Sequence, residues 1–551
     1  MNAAEIDQTE STTMAGVKKI EATARSWTRK ELKMAYACIF LVYFFISLQQ
    51  QIHFNVLSYV TSSFILLPLT GTTSIVSSIV GGVFRLATGK FIDIIGRPEG
   101  FILMTIFTTI GIIMMAATEN VETYTAAQVF YWVGFDGMGY VMDVFMADTS
   151  SPKNRALVFA FSTTPYIITT FIGPRAAASF LRTSGWPWAY GVFAIVTPVI
   201  TIPLLYILYQ NERKARKSGL LIKEKSDRTP MENISYYFFE FDVVGLILIS
   251  AGFVLILLPS SLASYQRKGW GSGAIIAMLI TGFTCSISFI IWEKKFARVS
   301  FIPFKLLRDP SIWGSCLLAM FLFISFFLWN NNFLPFLQVV FGLSVTNAGY
   351  VSNIFSIGSC FWAVVFAGLI RVTGRFKYLA LGHLILQTMG VGLIIYFRQP
   401  KFHIGFIIMC QIFIAFGSGG LVISEQMTVI AACSHKSLAI PLALLALFSS
   451  VGGAIGTSIS GAIFTVKFPQ ALERKLPGNA TLNAILYGNL ETQLAYPFGT
   501  PERNAVLYAY GETMWYQVCL GVAFLLPCFV FIAVWKDFKI KELKTNPGNL
   551  L

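Results

Sequence analysis

The chain has 551 residues, of which 55% are hydrophobic and only 12% are charged, and its mean hydropathy is +0.67. A soluble protein of this length cannot bury so much apolar surface, so a soluble globular fold is excluded and an integral membrane protein is predicted. The formal net charge is +14, but about three quarters of the Lys and Arg fall on one predicted side of the membrane, so the charge reflects topology and nucleic acid is not an expected partner.

The polar, basic segment 1–34 is predicted to be a cytosolic tail that precedes the first membrane anchor. Apolar runs then predict about fourteen transmembrane helices, because each span needs about 20 apolar residues and must satisfy its own backbone hydrogen bonds. The distribution of Lys and Arg places both termini in the cytosol. The predicted spans cover residues 35–57, 72–92, 101–118, 125–147, 156–180, 189–210, 241–262, 273–292, 312–336, 347–370, 378–397, 404–428, 438–466 and 513–535.

A short polar turn closes the second span with the motif G-x-x-x-D-x-x-G-R, formed by Gly89, Asp93, Gly96 and Arg97. The glycines allow two helices and a turn to approach closely. The carboxylate and the guanidinium can latch neighbouring helices at the membrane surface and can also release them. The spacing resembles the signature loop after the second helix of major facilitator superfamily transporters, which implies that superfamily's fold and a gating role for these residues.

A partial copy of this motif follows the tenth span, where Gly374 and Arg375 stand in register with its last two residues. Arg371 occupies the position of Asp93, so the second latch has either a different partner or none. The copy predicts a duplicated, all-α integral membrane protein of two six-helix bundles that flank an inserted pair of helices. Parallel halves of this kind hold their substrate between them, near the membrane midplane.

The predicted domains follow from this duplication. The basic connector between the halves is expected to be a solvated loop, and no chemistry is assigned to it. The domains are the tail 1–34, the N-terminal six-helix bundle 35–210, the cytosolic connector 211–240, the inserted helices 241–292, the C-terminal bundle 312–535 with a long outer loop 467–512, and the cytosolic tail 536–551.

Ionisable side chains inside membrane spans are costly and therefore point to function. Asp136 and Asp143 lie seven residues apart in span 4, hence on one helical face, and Arg85 in span 2 is predicted at the depth of Asp143. We hypothesise that Arg85 pairs with Asp143 and that protonation of Asp143 releases the pair. The alternative is a static buried pair that only fixes helix packing. Glu425 in span 12 is a further candidate for proton coupling, unless it is an interfacial charge that reaches water.

Polar and aromatic side chains predict a cavity suited to a bulky, hydrogen-bonding solute. Three asparagines before Pro335 are expected to break span 9, which membrane proteins tolerate where the backbone lines a cavity. His53 is the residue type that carries protons near neutral pH, and Arg175 can meet an anionic group of the substrate or extend to the membrane surface. For His53 and the aromatic residues, ordinary packing is the alternative. The predicted lining residues are Tyr43, Gln49, His53, Tyr131, Trp132, Arg175, Trp329, Asn330 and Asn331.

The last outer loop, residues 467–512, is unusually long, and a loop of this length usually has a function or is disordered. It includes Tyr508 and Tyr510. It also contains Asn479-Ala480-Thr481, an N-glycosylation pattern that the topology places on the outer side, so a glycan is expected on Asn479.

Several further features together resemble the fungal siderophore-iron transporters. They are the fourteen spans, the long last outer loop, Ala147-Asp148-Thr149 with Arg155 after span 4, the segment 241–245 that opens span 7, and Pro303-Phe304-x-Leu306-Leu307 before span 9. The likeness covers residues 35–540. It implies proton-coupled import of a ferric siderophore, a hydroxamate iron chelate, at the plasma membrane or at an endosomal or vesicular membrane. It also implies that Tyr508 and Tyr510 take part in substrate capture.

The residues leave other functions open. Within transport, the alternatives are a proton-coupled antiporter that exports drugs or glutathione and an importer of another bulky solute such as haem. Span 4 lacks the arginine of related drug antiporters, and Arg175-Ala176-Ala177 replaces their glycine pair, which disfavours efflux. A non-transporting receptor for the chelate is a third alternative, although its tails would be short for signalling.

Enzymatic chemistry is not expected. The sequence has no G-x-S-x-G, H-E-x-x-H or P-loop motif. The eight cysteines lie in or beside apolar runs without metal-ligand spacing, so neither a metal site nor a cofactor is predicted. The expected partners are a ferric siderophore, protons and the lipid bilayer, and the protein is expected to be monomeric.

Overall fold

A computed structural model describes residues 27–64, 75, 79–84, 87–89, 91–92, 96–150, 155–217, 238–239, 242–263, 266, 268–297, 308–432 and 439–538. The regular structure within these ranges is helical, which confirms the predicted all-α class. Ten helices in the described ranges are long and apolar enough to cross a membrane.

The helices are numbered in chain order, and α2 comprises the described parts of Ile79–Gly89. The other bounds are α1 Arg29–Ser63, α3 Arg97–Ala116, α4 Val121–Thr149, α5 Arg155–Thr183, α6 Trp186–Lys217, α7 Val243–Leu257, α8 Gly273–Lys295, α9 Pro310–Asn330, α10 Phe333–Phe341, α11 Val345–Thr373, α12 Lys377–Phe397, α13 Ile404–Ala432, α14 Ala439–Lys475, α15 Ala480–Gly488, α16 Leu490–Ala495 and α17 Pro501–Val534. A four-residue helix, Pro259–Leu262, and a 3₁₀ turn, Gly269–Gly271, connect α7 to α8.

Several helix starts are set by local sequence. Thr28 and Glu31 form a capping box at the start of α1. At α9 and α17, the side chains of Asp309 and Thr500 accept hydrogen bonds from free backbone N–H groups, and each is followed by a proline. Proline suits the first helical position because its φ is fixed and its missing N–H would have had no partner there.

The helices pack as two halves, each around its own apolar core. Buried side chains of α1–α6 dominate one core, and those of α9–α17 form nearly all of the other. The same pairs of helices touch in each half: α1 packs on α5 and α6 as α9 packs on α14 and α17, and α3 packs on α4 as α12 packs on α13. The end at which α1, α5 and α10 finish is predicted to face outside and is termed the outer end below.

Glycine permits close helix crossings in both halves. A Cβ at Gly134 of α4 would overlap the backbone of Thr108 in α3. A Cβ at Gly417 of α13 would lie 2.7 Å from the backbone nitrogen of Gln387 in α12. Any larger residue would push these helices apart, because backbone cannot give way as a flexible side chain does.

The inserted pair α7–α8 packs on itself and on α14. Ser458 of α14 donates a hydrogen bond to the carbonyl oxygen of Leu257 at 3.1 Å. Asp242 is the N-cap residue of α7, and its backbone has φ +46°. Its side-chain Oδ1 accepts a hydrogen bond from the backbone N–H of Gly245 at 3.2 Å. The same oxygen accepts from Nε1 of Trp292 in α8 at 2.6 Å. One carboxylate therefore joins the start of α7 to the end of α8.

The segment 467–512, predicted as a loop, is mostly helical. α14 continues to Lys475, α15 and α16 follow, and α17 begins at Pro501, well before the predicted start of span 14 at 513. Leu486 of α15 and Leu490 of α16 are fully buried. The short helices escaped prediction because their apolar residues are too few to show a helical period on their own.

Replacing Asp242 with Ala is expected to lower the thermal stability of the purified protein. The change removes the cap of α7, which typically contributes about 1 kcal/mol, and leaves the Trp292 indole N–H without its acceptor. Asp242→Asn is the matched control, since asparagine keeps an acceptor and tolerates positive φ. If both variants lost the same stability in a melting experiment, the joint role assigned to this carboxylate would be wrong.

Candidate functional site

The first hinge motif lies between α2 and α3. Gly96 has φ +139°, a conformation that favours glycine, and Arg97 begins α3. A Cβ at Gly89 would lie 2.9 Å from the hydroxyl of Tyr140, so this glycine lets α2 approach α4. Asp93 lies outside the described residues, and its latch with Arg97 stays a prediction.

The second hinge motif has a partner that the sequence did not reveal. Gly374 ends α11 at φ +70°. Arg375 forms an ion pair with Asp537, just beyond α17, with Nη1 3.3 Å from Oδ2. Lys377 donates a hydrogen bond to the carbonyl oxygen of Ala533 at 2.8 Å. The second latch was expected to have either a different partner or none, and the structure shows a different partner, Asp537. These contacts connect the loop to the inner end of α17.

Asp136 and Asp143 lie on one side of α4 and meet different helices. The hydroxyl of Tyr43 in α1 donates a hydrogen bond to Oδ1 of Asp143 at 2.7 Å and lies 3.2 Å from the carbonyl oxygen of Gly139. Asp136 turns toward α2, where a Cβ at Gly81 would lie 2.9 Å from its Oδ2. Both carboxylates are half-buried. Arg85, the predicted partner of Asp143, lies outside the described residues.

Glu425 is enclosed within α13 and is only 3% exposed. Its Oε2 has no hydrogen-bond partner among the described residues. This burial excludes an interfacial charge that reaches water. An ionised carboxylate without a partner is costly in such a place, so the side chain suits a group that takes up a proton.

The amide and aromatic residues of the first half form a buried hydrogen-bonded network. Tyr131 donates to Oε1 of Gln49. His53 is 1% exposed, and its Nδ1 lies 3.1 Å from the hydroxyl of Tyr190. The Tyr190 hydroxyl in turn lies 2.8 Å from that of Tyr124.

The tautomer of His53 follows from its neighbours. The indole Nε1–H of Trp132 donates to Oε1 of Gln128 at 3.0 Å, which turns the amide nitrogen of Gln128 toward Nε2 of His53, 3.5 Å away. Because an amide NH₂ can only donate, Nε2 of His53 is the acceptor. Nδ1 therefore carries the ring proton and donates the hydrogen bond to the hydroxyl of Tyr190. A second proton on His53 would face this donor, so the contacts favour a neutral, packing histidine over a proton relay.

In the second half, α9 ends at Asn330 and α10 begins at Phe333, so the helix breaks at Asn331 and Asn332, just before the proline, as predicted. Trp329 is 1% exposed and packs edge-on against Phe333, with ring centroids 5.3 Å apart. Asn330 and Asn331 are half-buried. No hydrogen bond or ring contact between described residues joins Trp329 to the Gln49 network. Apart from Arg175, the predicted cavity residues therefore form two separate clusters, one in each half.

Residues 476–500, which contain α15 and α16, form an outer cap. Arg503 at the start of α17 is 2% exposed and donates to the carbonyl oxygens of Gln493 at 2.6 Å and Val339 at 2.7 Å. The hydroxyl of Tyr510 donates to Oε1 of Gln493 at 3.0 Å, and Tyr510 is 2% exposed. These bonds fasten the cap to α10 and α17, both in the second half.

The other predicted residues of this region face outward. Tyr508 is 41% exposed, with Nζ of Lys475 4.6 Å from the centre of its ring. Asn479 is exposed at the start of α15, where its Oδ1 accepts from the backbone N–H of Leu482 at 3.2 Å. Of the two tyrosines predicted for substrate capture, only Tyr508 is accessible in this conformation.

Three hydrogen bonds between the halves lie at the outer end. Tyr59 of α1 donates to Oε1 of Gln338 in α10 at 2.5 Å. The carbonyl oxygen of Ser62 in α1 accepts a hydrogen bond from Nδ2 of Asn489 at 3.3 Å. The hydroxyl oxygen of Ser62 accepts another from the backbone N–H of Leu490 at 3.2 Å. The cap therefore contacts the outer end of α1 in the first half and is hydrogen-bonded to α17 in the second half.

Arg175 lies apart from both predicted cavity clusters. It is exposed on α5, and no hydrogen bond or ion pair joins it to another residue in the described ranges. It lines a cleft of about 930 Å³ together with side chains of α5, α11 and α13.

Several residues of this arrangement were missed from sequence. Gln128 and Gln338 are polar residues inside apolar runs, and the rule that singled out His53 would have found them. Tyr59 and Tyr190 gave no signal, because a chain with 15% aromatic residues has many tyrosines at similar depth. Arg503 lies in a segment predicted as a loop, where an arginine is unremarkable.

Comparison with known proteins supplies the family. A sequence profile of the Major Facilitator Superfamily matches residues 39–457. MFS siderochrome iron transporter 1 of Ajellomyces capsulatus is 47% identical over 544 residues, which cover 98% of this chain and 92% of that protein. Siderochrome iron transporter 2 of Aspergillus fumigatus is 42% identical, with 96% and 87% covered. Siderophore iron transporter mirB of Emericella nidulans is 38% identical, with 97% and 89% covered.

Solved structures share the fold. A bacterial homologue of the human lysosomal transporter Spinster, in an inward-facing conformation, aligns with a TM-score of 0.59 and 15% identity over 92% of this chain and 97% of that chain. The peptide transporter POT in complex with sulfate aligns with a TM-score of 0.55 and 15% identity over 91% and 96%. At this identity the likeness shows the fold alone. The sequence profile and the relatives together show that the chain belongs to the fungal siderophore-iron transporter family of the major facilitator superfamily.

Proposed function

We propose that this protein imports a ferric siderophore, a hydroxamate iron chelate, together with protons, by alternating access of its two halves. The observation that carries the substrate class is identity of 35–47% over nearly the whole chain to proteins named siderophore or siderochrome iron transporters. The iron is cargo within the chelate, so the mechanism needs neither a resident metal nor an enzymatic step. The plasma membrane is the proposed location, with an endosomal or vesicular membrane as the alternative.

Unpaired donors in both halves suit such a cargo. Nε2 of Gln49 in the first half has no hydrogen-bond partner in the described part of the chain, and neither do Nε1 of Trp329 and Nδ2 of Asn332 in the second. A hydroxamate chelate presents several oxygen acceptors, and a buried donor gains most from an acceptor when it has no other partner. We therefore assign these donors to the chelate. Because the two halves of one chain supply both sides of the pathway, a monomer suffices.

Asp143 is the proposed centre of proton coupling. Its carboxylate accepts a hydrogen bond from Tyr43 of α1. The predicted ion pair with Arg85 would connect the same carboxylate to α2. A protonated carboxyl group is a weaker acceptor and cannot pair with a guanidinium, so uptake of a proton would loosen α4 from its neighbours. Asp136 on the same helix and the enclosed Glu425 are the further candidates.

The hydrogen bonds at Tyr59 and Ser62 are the proposed outer gate. Arg503 and Tyr510 of α17 both bond to Gln493 and so fasten the cap to the second half, whereas the contacts of Ser62 with Asn489 and Leu490 cross between the halves. Opening toward the outside would therefore break the contacts at α1 and carry the cap along with the second half. The hinge loops at Arg97 and Arg375 act at the opposite end.

Cells that lack other importers and express this protein are expected to accumulate iron-labelled hydroxamate siderophore. A protonophore should abolish the accumulation, because the proton gradient drives symport. The same cells without the protein supply the background. If no chelate accumulated and the cells instead extruded an unrelated solute, the antiporter alternative would replace this proposal.

Asp143→Asn should reduce uptake on the order of tenfold or more, since loss of a proton-transfer group typically has effects of that size or larger. The remaining uptake should not vary with external pH, whereas wild-type uptake should, because the proton gradient drives symport. Asp309→Asn is the control, because its pair with Lys536, at 2.8 Å, lies at the surface. Wild-type uptake with an unchanged pH profile in the Asp143 variant would remove this residue from the coupling mechanism.

Joining Ser62→Cys to Asn489→Cys with a short bifunctional thiol reagent should block uptake, and reduction should restore it. The linkage would fix the cap to α1 and hold the outer gate closed. Leu476→Cys with Asn483→Cys is the matched pair within the second half, where Nδ2 of Asn483 donates to the carbonyl oxygen of Leu476 at 3.1 Å. Linking this control pair should leave uptake intact. Full uptake by the linked Ser62 and Asn489 variant would rule out a gate at this position.

A further inference from the structure

Helix α5 packs through one face. A Cβ at Gly173 would lie 2.5 Å from Cβ of Gln51 in α1, and a Cβ at Gly349 of α11 would lie 2.6 Å from Cβ of Pro174. Nδ2 of Asn353 in α11 also donates to the carbonyl oxygen of Thr170 at 3.2 Å. The packed face is therefore directed at α1 and α11, and it forms part of the seam between the halves.

The opposite face of α5 is exposed and apolar. Ile168, Phe171 and Ile172 are 47%, 54% and 41% exposed. They recur at the three- and four-residue spacing of one helical face, and Arg175 continues that face by one turn. Phe171 at the edge of this face lies beside Tyr350 of α11, with ring centroids 6.2 Å apart. In a helix that crosses a membrane, the part of an exposed apolar face that no neighbouring helix covers borders lipid.

Phe171, Ile172 and Arg175 of this face form one wall of a cleft of about 930 Å³. Tyr350, Ile354 and Ile357 of α11 and Ile408 of α13 provide other parts of its lining. Arg175 is the one charged residue among the described residues that line it. The cleft thus has an apolar body that touches both halves and a single cation at its edge.

Arg175 lies two turns before the outer end of α5 at Thr183, at the depth expected for lipid headgroups. It is exposed and has no hydrogen-bond or ion-pair partner in the described ranges. A guanidinium binds phosphate through two parallel hydrogen bonds, and a cation at a membrane boundary gains more from such a partner than it would in bulk water. An anion with long apolar chains matches both parts of the cleft.

We propose that the cleft binds one anionic phospholipid, with its phosphate on Arg175 and its acyl chains against Phe171, Ile354 and Ile357. This site is separate from the proposed cargo pathway and does not depend on the identity of the cargo. Because its walls belong to α5 in one half and α11 in the other, the bound lipid spans the seam and stabilises the conformation in which this cleft exists.

The test is native mass spectrometry of the purified full chain titrated with phosphatidylglycerol, with phosphatidylcholine of the same chains as the neutral comparison. Wild type should retain one phosphatidylglycerol preferentially. Arg175→Gln should lose this preference at least fivefold. Arg182→Gln, which removes an exposed arginine from the same helix outside the cleft, should retain it.

Two further measurements distinguish a lipid site from a simple anion site. Ile354→Trp should weaken phosphatidylglycerol binding by filling the apolar body while Arg175 stays in place. Soluble glycerol phosphate should not compete, because it lacks acyl chains. Unchanged preference in the Arg175 variant, or an equal loss in the Arg182 variant, would overturn the proposal, and so would competition by glycerol phosphate, which would show an anion site without a lipid.

Discussion

Inside a bilayer a polar group finds no water, so a buried hydrogen-bonding group is costly unless another part of the protein or a bound molecule pairs with it. The first half meets this constraint with side chains from α1, α4 and α6, which bond to one another around His53 and Gln49. Apart from the bond between Trp132 and Gln128 within α4, each of these bonds joins two helices, so the polar groups fix the rotation of those helices as well as their contacts. The carboxylate of Asp143 extends the same principle toward the inner end through Tyr43.

The two halves share a scaffold and differ in where their polar groups lie. Equivalent helices pack in the same pairs, with a glycine at the crossing of α3 and α4 and another at that of α12 and α13. The second half places polar groups at the break after Asn330, beneath the cap around Arg503, and within α13 at Glu425. Duplication thus explains the packing, whereas divergence after duplication explains the asymmetry of the site. Arg375 illustrates the point, since it keeps its place in the hinge but pairs with Asp537.

Much of the fold was predictable because membrane helices appear in the sequence as long apolar runs. The spans, the duplication and the break in span 9 all follow from such runs and from the proline that interrupts one of them. What failed has a different physical origin. The pairing of Tyr59 with Gln338 depends on the tilt and rotation of two distant helices, which no local period encodes.

The candidate site was less predictable than the fold for the same reason. Tyr508 and Tyr510 are two residues apart, yet one is exposed and the other is enclosed, because a helix turns them by about 200° from each other. A loop, which is what the sequence predicted there, would not impose that difference. Arg175 was grouped with the cavity from its depth alone, and only the packing of Gly173 and Pro174 shows that the helix turns it elsewhere.

The contact between Ser458 and Leu257 attaches the inserted pair to the second half. The covalent link between the two halves is therefore the stretch between the end of α6 at Lys217 and the start of α7 at Val243. A chain of that many residues can reach about 80 Å at most. Chain length therefore sets only a wide limit on the separation of the halves, and in the motion proposed above their relative position depends on contacts such as those of Ser62 with Asn489 and Leu490.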